Sequence, residues 1–235
     1  MTFFRSLIFN TLYSLSTCLF GLYGLVICPF LPQSWGERGI IVWNRFIVLC
    51  FRWVCGVRLK VVGQLPTLDQ PYVILANHQS SWETFYLQSL FFPMSTILKQ
   101  ELLKIPFFGW GLAQLKPIAI DRSNPMKALK QVKREGMATI NQGRSLLVFP
   151  QGTRVSPGET GTYARSGADI AIGANAPIIP IAHNAGSCWV NKSFIKRPGT
   201  ITVHIGEPLQ VDGKSSKEVM AIVQEWIESR IATKA

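Results

Sequence analysis

Residues 6–36 carry no charged side chain, from Ser6 after Arg5 to Gly36 before Glu37. A helix from Phe3 to Cys28 would be about 39 Å long, more than the roughly 30 Å hydrocarbon core of a bilayer. Pro29 and Pro32 end it. Arg5 could be the n-region of a secretory signal peptide, but the apolar stretch is too long and no A-x-A-like site follows it. Leu15-Ser16-Thr17-Cys18 is only loosely like a lipoprotein cleavage site. A retained membrane helix is expected, either spanning the bilayer or lying in one leaflet. Within it Ser6, Asn10, Ser14, Thr17, Gly21 and Gly24 recur every three or four residues. Such a stripe lets another helix approach closely, although Ser and Gly are also common in membrane helices generally.

A second apolar helix is expected over residues 37–57. Its charges are Glu37 at the start and Arg38, Arg45 and Arg52 at intervals of seven. That interval returns to nearly the same helical face, so the arginines form one basic seam suited to a membrane interface. Residues 1–57 read as a membrane-anchoring helical pair and 58–235 as a second domain. Charge supports this division. The 235-residue chain has a net charge of +11 but only 16% charged residues, with 48% hydrophobic ones. Nucleic-acid binders are usually basic because they are rich in charge, whereas this chain is poor in acids. A basic, greasy chain points to an anionic lipid surface or an anionic lipid substrate, with no nucleic-acid partner. Composition also excludes a disordered or collagen-like chain. The five cysteines match neither a zinc site nor a C-x-x-C pair and are expected to be buried thiols.

Beyond residue 57, short β-like runs alternate with helical segments. The runs are 58–62, 72–76, 95–98, 117–120, 145–149, 178–182 and 200–205. Several are unbroken apolar stretches, the pattern of strands covered on both faces. Helices are expected near 81–92, 100–114, 125–142, 165–174 and 215–233. Pro125 and Gly143 bracket the third. The fold class is α/β, a mixed central sheet flanked by helices.

Four segments could carry chemistry. Asn77-His78-Gln79-Ser80-Ser81-Trp82-Glu83 follows a strand. On a continuous helix His78 and Glu83 lie about 140° apart, so they meet only if His78 sits in the loop and Glu83 in the first turn. Ser80 and Glu83 also fit a capping box that leaves His78 incidental, and the heptapeptide alone favours that account. Ile120-Asp121-Arg122 ends a strand. In Phe149-Pro150-Gln151-Gly152-Thr153-Arg154, Gly152 permits close backbone approach, Thr153 offers a hydroxyl and Arg154 a planar fork for phosphate. A turn with an exposed Arg explains the same residues. Pro177 to Ile181 is a buried strand punctuated by prolines.

In this order, behind a hydrophobic N-terminus, these segments resemble the PlsC-like 1-acylglycerol-3-phosphate acyltransferases. Asn77, His78 and Glu83 match that family's N-H-x4-D motif, with Glu for Asp. Ile120 to Arg122 match its I-D-R. Phe149, Pro150, Gly152, Thr153 and Arg154 match F-P-E-G-T-R, with Gln151 for Glu. Lys99 to Leu102 and Ile105 to Gly109 resemble its K-x-E-L…P-x-x-G stretch. The resemblance covers about residues 72–210.

It implies transfer of a fatty acyl group from a thioester, acyl-CoA or acyl carrier protein, to the sn-2 hydroxyl of lysophosphatidic acid, giving phosphatidic acid. His78 would be the base and Glu83 would orient it. Arg154 and Arg122, then Lys99, would hold the acceptor's phosphate, with Gly152 and Thr153 adding anion contacts. Arg165 is a weaker candidate. The thiolate leaves readily, so no metal or other cofactor is required. The expected partners are membrane lipid, lysophosphatidic acid and the acyl donor, at the cytoplasmic face of a bacterial inner membrane. Alternatives are the same chemistry on a lyso-ornithine lipid or other lysolipid, and a hydrolase using the same pair. The basic face of Lys127, Lys130 and Arg134 suits lipid, carrier protein or plain solvent equally. His183 and His204 are expected to be core or edge residues, and Trp189, Lys192, Lys196 and Arg197 a loop near the membrane.

Overall fold

The apolar runs become seven strands of one sheet. They are β1 (Val57–Val62), β2 (Val73–Ala76), β3 (Met94–Lys99), β4 (Ile118–Ile120), β5 (Ser145–Val148), β6 (Ile178–His183) and β7 (Gly199–Ile205), in the order 1-7-6-2-5-3-4. Every neighbouring pair is parallel except β6 and β7. The computed structural model describes residues 1–231.

The central strands β2, β5 and β6 are buried along their whole length. Ile74, Leu147 and Ile179 face one apolar core, and Val73, Leu146 and Ile178 the other. Helices cover both faces, so nothing polar needs to alternate along these strands. The first core lies under α2 (Gln33–Cys55) and α3 (Trp82–Leu90), the second under α5 (Pro125–Asn141), α6 (Ser166–Gly173) and α7 (Ser216–Ile231). α5 starts as its sequence suggests: the Asn124 side chain accepts from Lys127 N at 3.1 Å, with Pro125 in the first helical position. Gly143 follows its end at φ +82°. The helix expected to reach 233 is seen to Ile231, and its last two positions lie outside the described residues.

The expected helix over 100–114 is two pieces. A 3-10 turn (Gln100–Lys104) is followed by a break and then by α4 (Phe108–Ala113). Pro106 lacks an N–H and Phe107 adopts φ +62°, so helical hydrogen bonding cannot run through.

α1 (Thr2–Leu22) continues through π and 3-10 turns to Phe30. It is the one helix, among the described residues, long and apolar enough to cross a membrane, and little of it is buried. Its small-residue stripe admits a neighbour in addition to α2. A Cβ on Gly21 would sit 2.4 Å from the Phe107 backbone, and one on Gly24 2.9 Å from the Trp110 carbonyl. Those two glycines therefore meet the start of α4, while α1 also packs along α2, where Trp43 Nε1 donates to Ser16 Oγ at 3.1 Å. At the other end Asn10 Nδ2 donates to Phe194 O at 3.0 Å, and Ser6 Oγ accepts from Lys196 N at 2.9 Å.

Between these ends, Phe9 is fully buried against Phe51 and Trp189, with ring centroids 5.3 and 5.1 Å away. Burial of one such ring stabilises by about 1.5–3 kcal/mol. The N-terminal helices thus share the first core with α3 and the sheet. Their outer surface stays apolar. Phe4, Ile8, Leu15 and Leu19 on α1, and Trp35, Leu49 and Trp53 on α2, are exposed. Arg38, Arg45 and Arg52 are exposed too, as the spacing of seven predicts. All five cysteines are free, but Cys18 is exposed on α1 rather than buried, because it falls on that outer face.

Candidate active site

Four parallel strands, β2 to β5, end at the same edge of the sheet, and the motif residues follow them. This carboxyl edge is where open α/β sheets place ligands. His78 lies in the loop after β2, Lys99 at the end of β3, Arg122 after β4, and Gly152, Thr153 and Arg154 after β5. All six line one cavity of about 710 Å³.

The Glu83 half of the expected capping box and the His78–Glu83 contact coexist. Ser80 Oγ accepts from Trp82 N at 3.0 Å, and Glu83 Oε1 accepts from Ser80 N at 2.7 Å, which closes the first turn of α3. The same oxygen accepts from Gln79 N and lies 2.8 Å from His78 Nδ1, while Oε2 accepts from Ser80 Oγ at 2.6 Å. Glu83 is fully buried. Burial alone would raise its carboxyl, but the electrostatic and hydrogen-bonding influence of His183, His78 and Ser80 overcomes this and lowers it to about 2. The hydrogen bonds are the firm cause, because burial keeps His183 largely neutral.

An ionised Glu83 can only accept, so the shared proton belongs on His78 Nδ1. Nε2 is left with its lone pair for the cavity. The imidazole is also stacked on Phe149, with centroids 4.2 Å apart.

The fold supplies supports that the motif alone does not reveal. Asn77 accepts from His183 N and donates to His183 O, both at 2.9 Å, tying the ends of β2 and β6 together. His183 is a core residue, as expected. Its Nε2 donates to Asn77 O at 2.8 Å and also lies 4.0 Å from Glu83. Gln151 Oε1 accepts from His78 N at 2.7 Å, so the residue after Pro150 fixes the histidine's backbone. An acceptor is all this contact requires, and the amide supplies it.

Gly152 adopts φ +68° with open space where a Cβ would be, and its carbonyl accepts from Arg122 Nη1. Arg154 Nε donates to Ser80 O at 3.1 Å and Nη1 to Asn191 Oδ1 at 3.0 Å, so one guanidinium joins three loops. Lys99 pairs with Glu101 at 3.4 Å, on the exposed rim. Arg165 does not line the cavity, although its neighbours Ala164 and Ser166 do. Lys127, Lys130 and Arg134 are exposed on α5.

The rest of the wall is mainly apolar, with Ile40 and Trp43 of α2, Phe85 of α3, Leu102, and Phe108 and Leu112 of α4, and the buried polar residues Asn44, Gln88 and Thr96 in it are hydrogen-bonded to one another. Five of these six apolar residues, all but Phe85, come from the expected anchor or from the expected helix over 100–114. Among the described residues no group of three or more His, Cys, Asp or Glu is placed to hold a metal ion.

A family model described as Acyltransferase matches residues 58–184. The 1-acyl-sn-glycerol-3-phosphate acyltransferase of Pseudomonas aeruginosa is 41% identical over 232 residues, covering 97% of this chain and 90% of that protein. The chain belongs to the PlsC-like acyltransferase family. A yeast (Saccharomyces cerevisiae) 1-acyl-sn-glycerol-3-phosphate acyltransferase is 27% identical over 220 residues, covering 91% of this chain and 72% of its own. The crystal structure of the 1-acyl-sn-glycerophosphate (LPA) acyltransferase PlsC from Thermotoga maritima matches with a TM-score of 0.79. It covers 97% of this chain and 94% of its own, at 20% identity, so that likeness is one of fold. In this acyltransferase Glu83 replaces the family's usual Asp, and its longer side chain still reaches His78 from inside the first turn of α3.

Proposed function

We propose that this enzyme transfers a fatty acyl group from an acyl-CoA or acyl carrier protein thioester to the sn-2 hydroxyl of 1-acyl-glycerol-3-phosphate, forming phosphatidic acid. One observation carries the reading. A histidine oriented by a buried carboxylate sits where an apolar cavity meets two arginines.

The acyl chain occupies the apolar depth, which removes its surface from water. The acceptor's phosphate sits at the mouth on Arg122 and Arg154, whose planar forks suit its oxygens. His78 Nε2 takes the proton of the attacking hydroxyl as the oxygen bonds to the thioester carbon. Glu83 stabilises the resulting imidazolium, which returns the proton to the departing thiolate. The chemistry draws on no residue outside this group and needs no covalent acyl-enzyme.

Residues 1–57 place this mouth at a lipid surface. The exposed apolar side chains of α1 and α2 form a surface with few charges, broken by the seam of Arg38, Arg45 and Arg52 that suits anionic head groups. A bacterial inner membrane, entered from the cytoplasmic face where acyl thioesters are made, is the setting proposed.

Mass spectrometry of the lipid formed by the purified protein, given mixed lysolipids and both donors, identifies acceptor and donor together. Phosphatidic acid is expected. A lyso-ornithine lipid or another lysophospholipid taken in preference would replace this acceptor. Arg154→Ala is expected to raise the KM for lysophosphatidic acid about ten- to hundredfold, the range of lost charged hydrogen bonds. An unchanged KM would remove Arg154 from the phosphate site.

A further inference from the structure

A second, smaller cavity of about 470 Å³ adjoins the first. Tyr13, Ser81, Arg154, Asn191 and Lys192 line both and so form the neck between them. The smaller cavity opens beside Asn10 of α1 and Phe194, and Phe194 is exposed on the apolar side of the molecule, packed on Phe3. It therefore connects the reaction site with the surface assigned to lipid.

The loop between β6 and β7 carries two lysines here, and they differ in kind. Lys196 is buried, and its Nζ is consumed by Ser193 O at 2.7 Å and Phe194 O at 3.1 Å, beneath the Trp189 ring. It shapes the loop. Lys192 is exposed to both cavities, and among the described residues no acid or carbonyl pairs with its ammonium. Its backbone sits at φ +58°, a left-handed conformation that a lysine rarely adopts and that glycine would take more easily. Strain of this kind persists where surrounding structure imposes it, often at functional sites. Here the fixed point is Asn191, held by Arg154. The loop thus presents an unpaired cation at the neck, next to the guanidinium already assigned to phosphate.

We propose that Lys192 is a further cation for the acceptor's phosphate, beside Arg122 and Arg154, and that the lysolipid reaches His78 from the membrane side through the smaller cavity. This rests on the acceptor being a phosphate-bearing lysolipid. Lys192 binds the phosphate as a point charge from the neck between the cavities, while the acyl donor enters by the larger cavity.

The test uses the full-length protein in detergent micelles, with Lys192→Gly and Lys192→Arg. Glycine keeps the left-handed turn and removes an exposed side chain together with its charge, so the thermal midpoint should not fall. Lys192→Gly is expected to raise the KM for lysophosphatidic acid about tenfold, leave the KM for acyl-CoA unchanged, and reduce discrimination against monoacylglycerol by a similar factor. Lys192→Arg should retain most of the affinity. A lysophosphatidic acid KM unchanged in Lys192→Gly, with the wild type forming phosphatidic acid, overturns this inference alone. A rise in the acyl-CoA KM instead assigns Lys192 to the donor's phosphates and overturns it too. A wild type that forms no phosphatidic acid overturns the underlying reading together with the inference.

Discussion

His78→Ala is expected to lower kcat by about 10²–10⁴-fold while the protein stays folded, the usual contribution of a positioned general base. The ring is not part of the core: it is partly exposed, stacks on Phe149 and contacts Glu83. Glu83 keeps its three other hydrogen bonds, two from backbone N–H groups and one from Ser80 Oγ, when the imidazole is removed. Circular dichroism and the thermal midpoint should therefore change little, and turnover should collapse.

Glu83→Gln separates orientation from charge. The amide oxygen can still accept at the Oε1 position but no longer stabilises an imidazolium, so a fall in kcat with little change in KM is expected. The pH profile adds a check. Glu83 starts from an ordinary value of 4.5 and is held at about 2, so it stays ionised throughout the range above pH 4.5. Activity lost on acidification in that range therefore does not come from protonation of Glu83. Near-normal turnover in His78→Ala would end the assignment of the base.

The largest loss of stability is expected far from the chemistry. Glu37, the only acid among the first 60 residues, is buried near the start of α2. Its Oε2 accepts from Arg144 Nη1 at 2.9 Å. Arg144 also donates to Ser95 Oγ and Met94 O, both at 2.8 Å, and to Leu115 O at 3.2 Å. One guanidinium thus joins α2 to β3, the lead into β5 and the end of α4, behind the apolar cavity.

Arg144→Met leaves a buried carboxylate with only Gln33 at 3.4 Å and exposed Lys116 at 3.9 Å. Breaking a buried pair in this way costs about 3–5 kcal/mol. Glu37→Met should cost less, because Arg144 retains its carbonyl and hydroxyl acceptors. The double variant should cost less than the sum of the two, since it buries no unpaired charge. Denaturant melts in detergent would show this ordering. An additive cycle would mean that the pair does not tie the N-terminal helices to the sheet.

The sequence alone determined the elements whose signal is local. Strands buried on both faces announce themselves as unbroken apolar runs, and all seven runs became strands. Pro125 and Gly143 marked a helix because a missing N–H and a left-handed backbone have positional meaning without any tertiary partner. The arginines spaced by seven kept one exposed face for the same reason. The four ordered motifs placed the candidate residues at strand ends, where a parallel sheet gathers them along one edge.

Only the tertiary structure decided the rest, because it depends on approach between distant segments. Whether His78 meets Glu83 rests on a bend at Gln79 and Ser80 that the heptapeptide permits but does not impose. That Gly21 faces α4 rather than α2 follows from where Phe107 turns, which no helical period encodes. The single helix read across 100–114 failed because its break at Pro106 and Phe107 also lays α4 against α1. The apolar cavity is built jointly by α2, α3, α4 and the sheet, so no one segment carries its pattern. What the charge-free N-terminus showed by itself was a helix long and apolar enough to cross a membrane. That the same helices also wall the cavity became visible only once they were packed on the sheet.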